Sequence, residues 1–215
     1  VYLRKIKQVI GERPINYLII NHMEPDHSGS IRLIKQHYPE IIIVGNKQTF
    51  GMIEGFYGVT GEQYLVKEGD FLALGHHKLR FYMTPMVHWP ETMMTFDETD
   101  GVLFSGDGFG CFGTVDGGFL DTRINVDKYW GEMVRYYSNI VGKYGSPVQK
   151  ALQKLGGLPI SAICSTHGPV WTENIAKVIG IYDRLSRYDA DEGVVIAYGS
   201  MYGNTEQMAE AIAEE

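Results

Sequence analysis

The stretch Asn16-Tyr-Leu-Ile-Ile-Asn21-His22-Met-Glu24-Pro-Asp26-His27 joins a short apolar run to four side chains that can bind a metal ion. The run predicts a buried β-strand, because it is short and rich in β-forming residues. A loop at the end of a strand is where a rigid scaffold commonly presents chemical groups. Imidazole nitrogen with carboxylate oxygen suits zinc, manganese or non-haem iron. The absence of a neighbouring cysteine argues against a soft metal or an iron–sulfur cluster. The stretch therefore predicts a metal-binding loop.

Composition and charge narrow the class of protein. The chain has 215 residues, of which 44% are hydrophobic and 21% charged, as expected for a globular protein with one sizeable core. Its net charge of -7 disfavours binding to nucleic acid or to an anionic membrane surface. No apolar run approaches the ~20 residues of a membrane span. The two cysteines, Cys111 and Cys164, form no CxxC pair, so we expect a reducing, cytoplasmic environment.

Helix-like and strand-like segments alternate, which indicates an α/β fold. We predict strands over 16–21, 41–44, 64–66, 71–74, 78–84, 93–96, 102–105 and 160–165. Helices are predicted over 28–36, 47–57, 126–141, 147–155 and 174–188. The strands between 64 and 105 should be antiparallel, because their connections are too short for crossover helices. Beyond a linker, a further strand over 194–198, a glycine-containing loop and a helix from 205 are expected.

Three more metal-competent side chains follow predicted strands, each beside Gly or Pro: His88, Asp107 and His167. A lone histidine or aspartate at a strand end is usually structural, but seven such residues make coincidence much less probable. Four histidines and three carboxylates fill two metal positions if one carboxylate bridges. The hard carboxylates favour iron or manganese over zinc, although zinc would give the same charge balance. Solvated or capping roles are expected for the remaining histidines, His37, His76 and His77.

The string His22-x-Glu24-x-Asp26-His27 resembles the metal loop of the metallo-β-lactamase fold, with one departure. Hydrolases of that fold carry His-x-His-x-Asp-His, whereas Glu24 stands here in place of the second histidine. Together with the three later ligands at matching intervals, this pattern resembles the flavodiiron proteins over nearly the whole chain. The resemblance implies an αββα sandwich with two irons. It assigns His22, Glu24 and His88 to one iron, Asp26, His27 and His167 to the other, and Asp107 to the bridge.

The C-terminal segment resembles the phosphate loop of flavodoxins. A strand, a loop with glycine and hydroxyl groups, and a helix direct backbone N–H groups and a helix N-terminus toward a phosphate. Such a pattern alone is weak evidence, but its place directly after a di-metal domain matches the flavodiiron order. The resemblance implies that the FMN phosphate is held at the loop residues Ser200, Met201, Tyr202, Gly203, Asn204 and Thr205.

The resemblance also implies a domain division. Residues 1–188 would form the di-iron domain, 189–192 a linker, and 193–215 the start of a flavodoxin-like FMN domain. Family members carry additional strands before the metal loop, so one edge of the sandwich is expected to be absent. The FMN domain stops after its first helix, so this polypeptide alone is expected to bind FMN poorly and to be part of a longer protein.

The implied function is reduction of O2 to water, of NO to N2O, or of both, at a di-iron site supplied with electrons by FMN. A rubredoxin or a reduced deazaflavin would donate the electrons, and a head-to-tail homodimer would bring each flavin to its partner's irons. Two alternatives stay open: a di-zinc hydrolase of the same fold, and an electron-transfer module with a structural metal. Trp89, Tyr136 and Tyr137 either line the substrate pocket, supply a hydroxyl behind the ligands, or pack in the core.

Overall fold

The computed structural model describes residues 2–115 and 117–215. A first sheet contains three parallel strands in the order β1 (Tyr17–Ile19), β2 (Ile42–Gly45) and β3 (Gln63–Leu65). The expected antiparallel arrangement is wrong for β3. A helix connects β2 to β3, and such a crossover lets the second strand return parallel to the first.

The second sheet contains five strands in the order β4 (Phe71–Leu74), β5 (His77–Met83), β6 (Met93–Asp97), β7 (Val102–Gly106) and β8 (Ala162–Ser165). The first four are antiparallel, as their short connections predict, and β8 returns parallel to β7. The register between β7 and β8 is irregular at Phe104 and Gly106, immediately before Asp107.

The helices agree with most of the predicted segments. They are α1 (Tyr2–Ile10), α2 (Pro25–Ser28), α3 (Ile31–His37), α4 (Lys47–Tyr57), α5 (Asp127–Ile140), α6 (Gly145–Leu155), α7 (Ile175–Ser186) and α8 (Asn204–Glu214). The bounds of α4 match the prediction because both ends carry local signals. Asn46 accepts hydrogen bonds from two backbone amides of the first turn, and Gly58 ends the helix at φ 59°. The helix α1 was not predicted.

Three apolar clusters arrange these elements in four layers. The first cluster joins the β1–β2 face to α3 and α4 through Ile20, Ile31 and Ile53 among others. The second lies between the two sheets, where Val44 of β2 meets Phe81 of β5. The third and largest packs β6, β7 and β8 against α5, α6 and α7. The result is helices, sheet, sheet and helices, which confirms the predicted αββα sandwich.

The predicted strand over 194–198 is wrong: the structure has no strand there, although the following helix α8 is present. A strand needs a neighbour to satisfy its backbone N–H and C=O groups, and no described strand pairs with this segment. Its valines, Val194 and Val195, are accordingly exposed. None of the described helices is both long enough and apolar enough to cross a membrane.

Candidate metal centre

All seven predicted ligands lie together, on four separate connections of the sandwich. The segment after β1 carries His22, and α2 with its N-cap carries Glu24, Asp26 and His27. The other three follow β5, β7 and β8 respectively: His88, Asp107 and His167. The ligand atoms form two groups, within each of which every atom lies no more than 4.8 Å from the others.

The first group is the inner triad, His22, Glu24 and His88, which gathers around one oxygen of Asp107. The Nε2 atom of His88 lies 3.1 Å from Asp107 Oδ2 and 3.1 Å from Glu24 Oε2. The Nε2 atom of His22 lies 3.6 Å from the same Asp107 oxygen and 3.5 Å from Glu24 Oε2. Two imidazole nitrogens and two carboxylate oxygens therefore converge on one point.

The second group is the outer triad, Asp26, His27 and His167, which gathers around the other oxygen of Asp107. The Nε2 atom of His27 lies 2.8 Å from Asp107 Oδ1 and 3.4 Å from Asp26 Oδ2. The Nε2 atom of His167 lies 3.6 Å from Asp107 Oδ1 and 3.3 Å from Asp26 Oδ2. Each triad thus faces a different oxygen of one shared carboxylate.

Two atoms of the centre lack a protein hydrogen-bond partner. The Nε2 atoms of His22 and His27 are buried and have none among the described residues. A buried polar atom without a partner destabilises the fold, so such atoms call for an explanation such as an ion. A metal ion accepts an imidazole lone pair, and two ions shared by Asp107 would satisfy both nitrogens. The donor set therefore fits two metal ions.

Charge is concentrated at Asp107. Burial alone would raise the pKa of its carboxyl, but the adjacent His27 and His88 imidazoles and the Thr166 hydroxyl outweigh burial and hold that pKa well below its usual range. Burial would lower the pKa of the His27 and His88 imidazoles, but Asp107 outweighs it and raises both. The centre is thus an anionic cavity that favours positive charge, supplied by protons or by metal ions.

One residue of the centre was missed at the sequence level: Glu91. It is fully buried, and its Oε1 atom lies 2.8 Å from His22 Nδ1 and accepts a hydrogen bond of 2.8 Å from the Met23 amide. A carboxylate behind a histidine is common at metal sites, where it orients the ring. Nothing in the sequence distinguishes Glu91 from the other glutamates, because only the sheet topology brings it to His22.

The three aromatic candidates fall in different places. Trp89 lies edge-on to the His22 ring at 5.3 Å between centroids, beside the inner triad. Tyr136 lies 5.6 Å from the His167 ring, and its buried hydroxyl has no hydrogen-bond partner among the described residues. Tyr137 instead packs edge-on against Tyr182 in the largest apolar cluster. Trp89 and Tyr136 therefore border the centre, and Tyr137 belongs to the core.

The remaining sequence candidates lie outside the centre. Ser200 to Gly203 precede α8, which begins at Asn204, and Met201 and Tyr202 are strongly exposed. His37 is exposed and bonds the Leu33 carbonyl within α3. His77 is the first residue of β5 and pairs with Asp97 at 2.7 Å, so it is neither merely solvated nor a helix cap.

Comparison with known proteins places this geometry in a family. A model described as "ODP family beta lactamase" matches residues 1–168. The chain is 31% identical to the anaerobic nitric oxide reductase flavorubredoxin of Shigella dysenteriae, over 99% of this chain and 45% of that protein. The chain spans less than half the length of that curated relative.

Solved structures show the same relationship. The rubredoxin oxygen:oxidoreductase of Desulfovibrio gigas superposes with a TM-score of 0.93 at 30% identity, covering 99% of this chain and 54% of that one. A flavo di-iron protein mutant from Thermotoga maritima gives a TM-score of 0.89 at 30% identity, covering 98% of this chain and 53% of that one. The chain therefore belongs to the ODP family of β-lactamase-like proteins and is a homologue of the flavodiiron proteins.

Proposed function

We propose that the inner and outer triads each bind one iron, bridged by Asp107, and that the protein is an oxidoreductase that reduces O2 to water, NO to N2O, or both. The observation that carries this proposal is the division of the Asp107 carboxylate. Its Oδ2 atom faces one triad and its Oδ1 atom faces the other. A carboxylate bridge of this kind would hold two ions close enough to act on one substrate together.

The electron count fits such a centre. When bound, two ferrous ions would supply two electrons and a reduced FMN two more, which matches the four electrons and four protons that convert O2 to two waters. Coupling of two NO molecules to N2O and water needs two electrons and two protons. Each triad with its Asp107 oxygen provides four protein ligands, which is fewer than an octahedral iron accepts and leaves room for substrate.

The chain's own residues order and enclose the site. The Asp107 carboxylate is held by the Thr166 hydroxyl at 2.7 Å, and Glu91 holds the His22 ring. Trp89 covers His22 from the side of the β5–β6 connection. The Tyr136 hydroxyl is buried beside His167, and burial together with the negative charge of Asp107 raises the pKa of that hydroxyl. Tyr136 consequently stays protonated at neutral pH, and it can donate a hydrogen bond toward the centre.

The di-zinc hydrolase is less well supported. Glu24 replaces the second histidine of the hydrolase motif, so three carboxylates meet four histidines and the donor set becomes harder. The relatives bear the names of a nitric oxide reductase and a rubredoxin oxygen:oxidoreductase. Both names describe reduction of a diatomic molecule rather than hydrolysis.

The remaining parts of the proposal concern the whole protein. FMN would be held at residues 200–205, since α8 begins there and a helix N-terminus favours a phosphate. A rubredoxin or a reduced deazaflavin would supply the electrons, and a head-to-tail homodimer would bring the flavin near the irons. Both cysteines are free thiols, which agrees with the cytoplasm as its location.

A direct test uses the full-length protein, purified without oxygen from iron-supplemented cells and supplied with reduced flavin. We expect consumption of O2 or NO, and a loss of at least about 10-fold when Glu24→His restores the hydrolase motif. His37→Ala, at an exposed histidine outside the centre, should keep full activity. Ester or amide hydrolysis by a zinc-loaded protein, with no gas consumed by the iron-loaded form, would overturn the proposal.

A further inference from the structure

The inner and outer triads differ in their surroundings. The His22 and His88 side chains of the inner triad are 1% and 11% exposed, whereas His27 and His167 of the outer triad are 14% and 36% exposed. Behind the inner triad stands the buried carboxylate of Glu91. Among the described residues, no carboxylate other than Asp26 and Asp107 pairs with an imidazole of the outer triad.

The contacts of Glu91 define the state of the His22 ring. A carboxylate only accepts hydrogen bonds, so His22 Nδ1, at 2.8 Å from Glu91 Oε1, carries the hydrogen. In the neutral ring the lone pair then resides on Nε2, the atom that faces Glu24 and Asp107. The Met23 amide donates to the same Glu91 oxygen, so the carboxylate is fixed to the metal loop at two adjacent points.

Glu91 is also fixed from behind. Its backbone carbonyl accepts a 2.6 Å hydrogen bond from Asn46 Nδ2, and the Asn46 side-chain oxygen caps the first turn of α4. Glu91 thus connects the metal loop, through Asn46, to the capped N-terminus of α4. Because Glu91 is fully buried, its charge acts on His22 with little screening by water.

We infer that Glu91 is a positioning residue that makes the inner triad the tighter of the two metal positions, so that metal binds there first and at the outer triad second. This inference rests on the proposed two-metal function. A fixed ring has its lone pair already directed at the ion, and an added negative charge behind the ring strengthens the attraction for a cation. Asp26 of the outer triad is more exposed than Glu24 of the inner triad, and among the described residues no carboxylate like Glu91 stands behind its imidazoles. The ion of the outer triad should therefore exchange more easily.

The test is a titration of the full chain, made metal-free with a chelator, with Co²⁺ under anaerobic conditions. Visible absorption reports coordination, and a competing chelator gives the affinity of each step. We expect two steps in the wild type. Glu91→Gln keeps the shape and both acceptor contacts but removes the charge. It should weaken the first step by roughly 10- to 100-fold, shift its absorption band, and leave the second step unchanged.

Glu98→Gln is the matched control, because Glu98 is also a glutamate paired with basic side chains, those of Lys78 and Arg80, but it lies outside every cluster of possible metal ligands among the described residues. Both of its steps should equal those of the wild type. Wild-type affinities in Glu91→Gln, or equal weakening in both variants, would overturn the inference. If the wild type still bound two ions, the proposed two-metal function would stand. A wild type that binds fewer than two ions would overturn the two-metal centre itself.

A second variant covers the case in which Glu91→Gln fails to fold. Glu91→Asp keeps the charge and shortens the side chain by one methylene, which lengthens the contact with His22. A weaker first step in this variant supports the positioning role. A first step with wild-type affinity and an unchanged absorption band would overturn it.

Discussion

At the scale of single residues, Asp107 is the proposed ligand on which both metal positions would depend. Its two oxygens face different triads, at 2.8 Å from His27 and 3.1 Å from His88. Asp107→Asn places an amide group, which donates hydrogen bonds, where one oxygen stood. We expect metal content to fall from two ions per chain to one or fewer, with activity reduced at least about 100-fold. Elemental analysis of the purified variant measures this.

The comparison variant is Asp26→Asn, at a ligand of the outer triad alone. It should lower metal content by no more than one ion, because Asp26 pairs with no histidine of the described residues other than His27 and His167. If Asp107→Asn kept two ions while Asp26→Asn lost one, the bridging role of Asp107 would be refuted.

Tyr136 gives a second prediction at this scale. Its buried hydroxyl has no partner among the described residues, and an unsatisfied hydroxyl costs about 1–3 kcal/mol. Tyr136→Phe should therefore leave the free energy of unfolding unchanged or raise it by about 1 kcal/mol, as measured by urea titration of the metal-free chain. It should lower O2 or NO turnover, because the proposed donor beside His167 is lost.

Tyr137→Phe provides the control for that experiment. The Tyr137 hydroxyl is also buried without a partner among the residues that the structure describes, but its ring packs on Tyr182 in the core. This variant should show the same small change in stability with normal turnover. Normal turnover in Tyr136→Phe as well would assign Tyr136 to packing alone.

The clustering of the seven proposed ligands could be predicted from sequence because each is a metal-competent residue type at a recognisable strand end. Glu91 could not, since its role depends on the distance between the β5–β6 connection and the metal loop, which are far apart in the chain. The assignment of Tyr136 to the centre and Tyr137 to the core was equally inaccessible. The two are adjacent in sequence, and their side chains point to different sides of α5 because consecutive residues of a helix lie at different angles around its axis.

At the scale of elements, one buried carboxylate joins the segment after His167 to the rest of the domain. Asp121 accepts hydrogen bonds from the backbone amides of Thr172, Glu173 and Asn174, and from two of their side chains. This segment leads directly into α7. Burial would raise the pKa of Asp121, but these hydrogen bonds outweigh burial and lower it.

The lowered pKa determines the pH dependence. A carboxyl with a lower pKa in the folded state stabilises the protein above its unfolded pKa of about 3.9, and that contribution is lost as pH falls through the folded pKa. Asp121→Asn should cost about 2–3 kcal/mol of unfolding free energy at pH 7, and this difference should narrow below about pH 4. Urea titrations at several pH values measure it. Asp127→Asn, at an exposed aspartate, should change little, and a pH-independent deficit in Asp121→Asn would contradict the linkage.

Elements were predictable where local chemistry and tertiary packing agree. The helix α4 carries its own cap and stop signals, so its bounds followed from the sequence. The segment 194–198 has the composition of a buried strand, but no described strand lies beside it and none forms. The parallel pairing of β3 was likewise missed. The antiparallel expectation rested on the short connection that follows β3, whereas its pairing with β2 is set by the helix α4 that precedes it.

At the scale of the whole molecule, the sandwich brings four separate connections to one point, and every proposed ligand precedes residue 188. The segment from Asp189 to Ser200 has no helix or strand and is largely exposed. We expect limited trypsin digestion of the metal-loaded protein to cut near Arg187, which is about half exposed, and to leave both ions with the N-terminal fragment. Loss of metal with the C-terminal fragment would contradict the proposed domain division.

We propose that this fold holds two irons on one shared carboxylate. Iron analysis combined with Mössbauer spectroscopy of the full-length protein, purified without oxygen, measures both the number of irons and their coupling. We expect two irons per chain that are magnetically coupled, and loss of that coupling in Asp107→Asn. A single iron, two uncoupled irons, or zinc retained at both positions despite iron supplementation would contradict it.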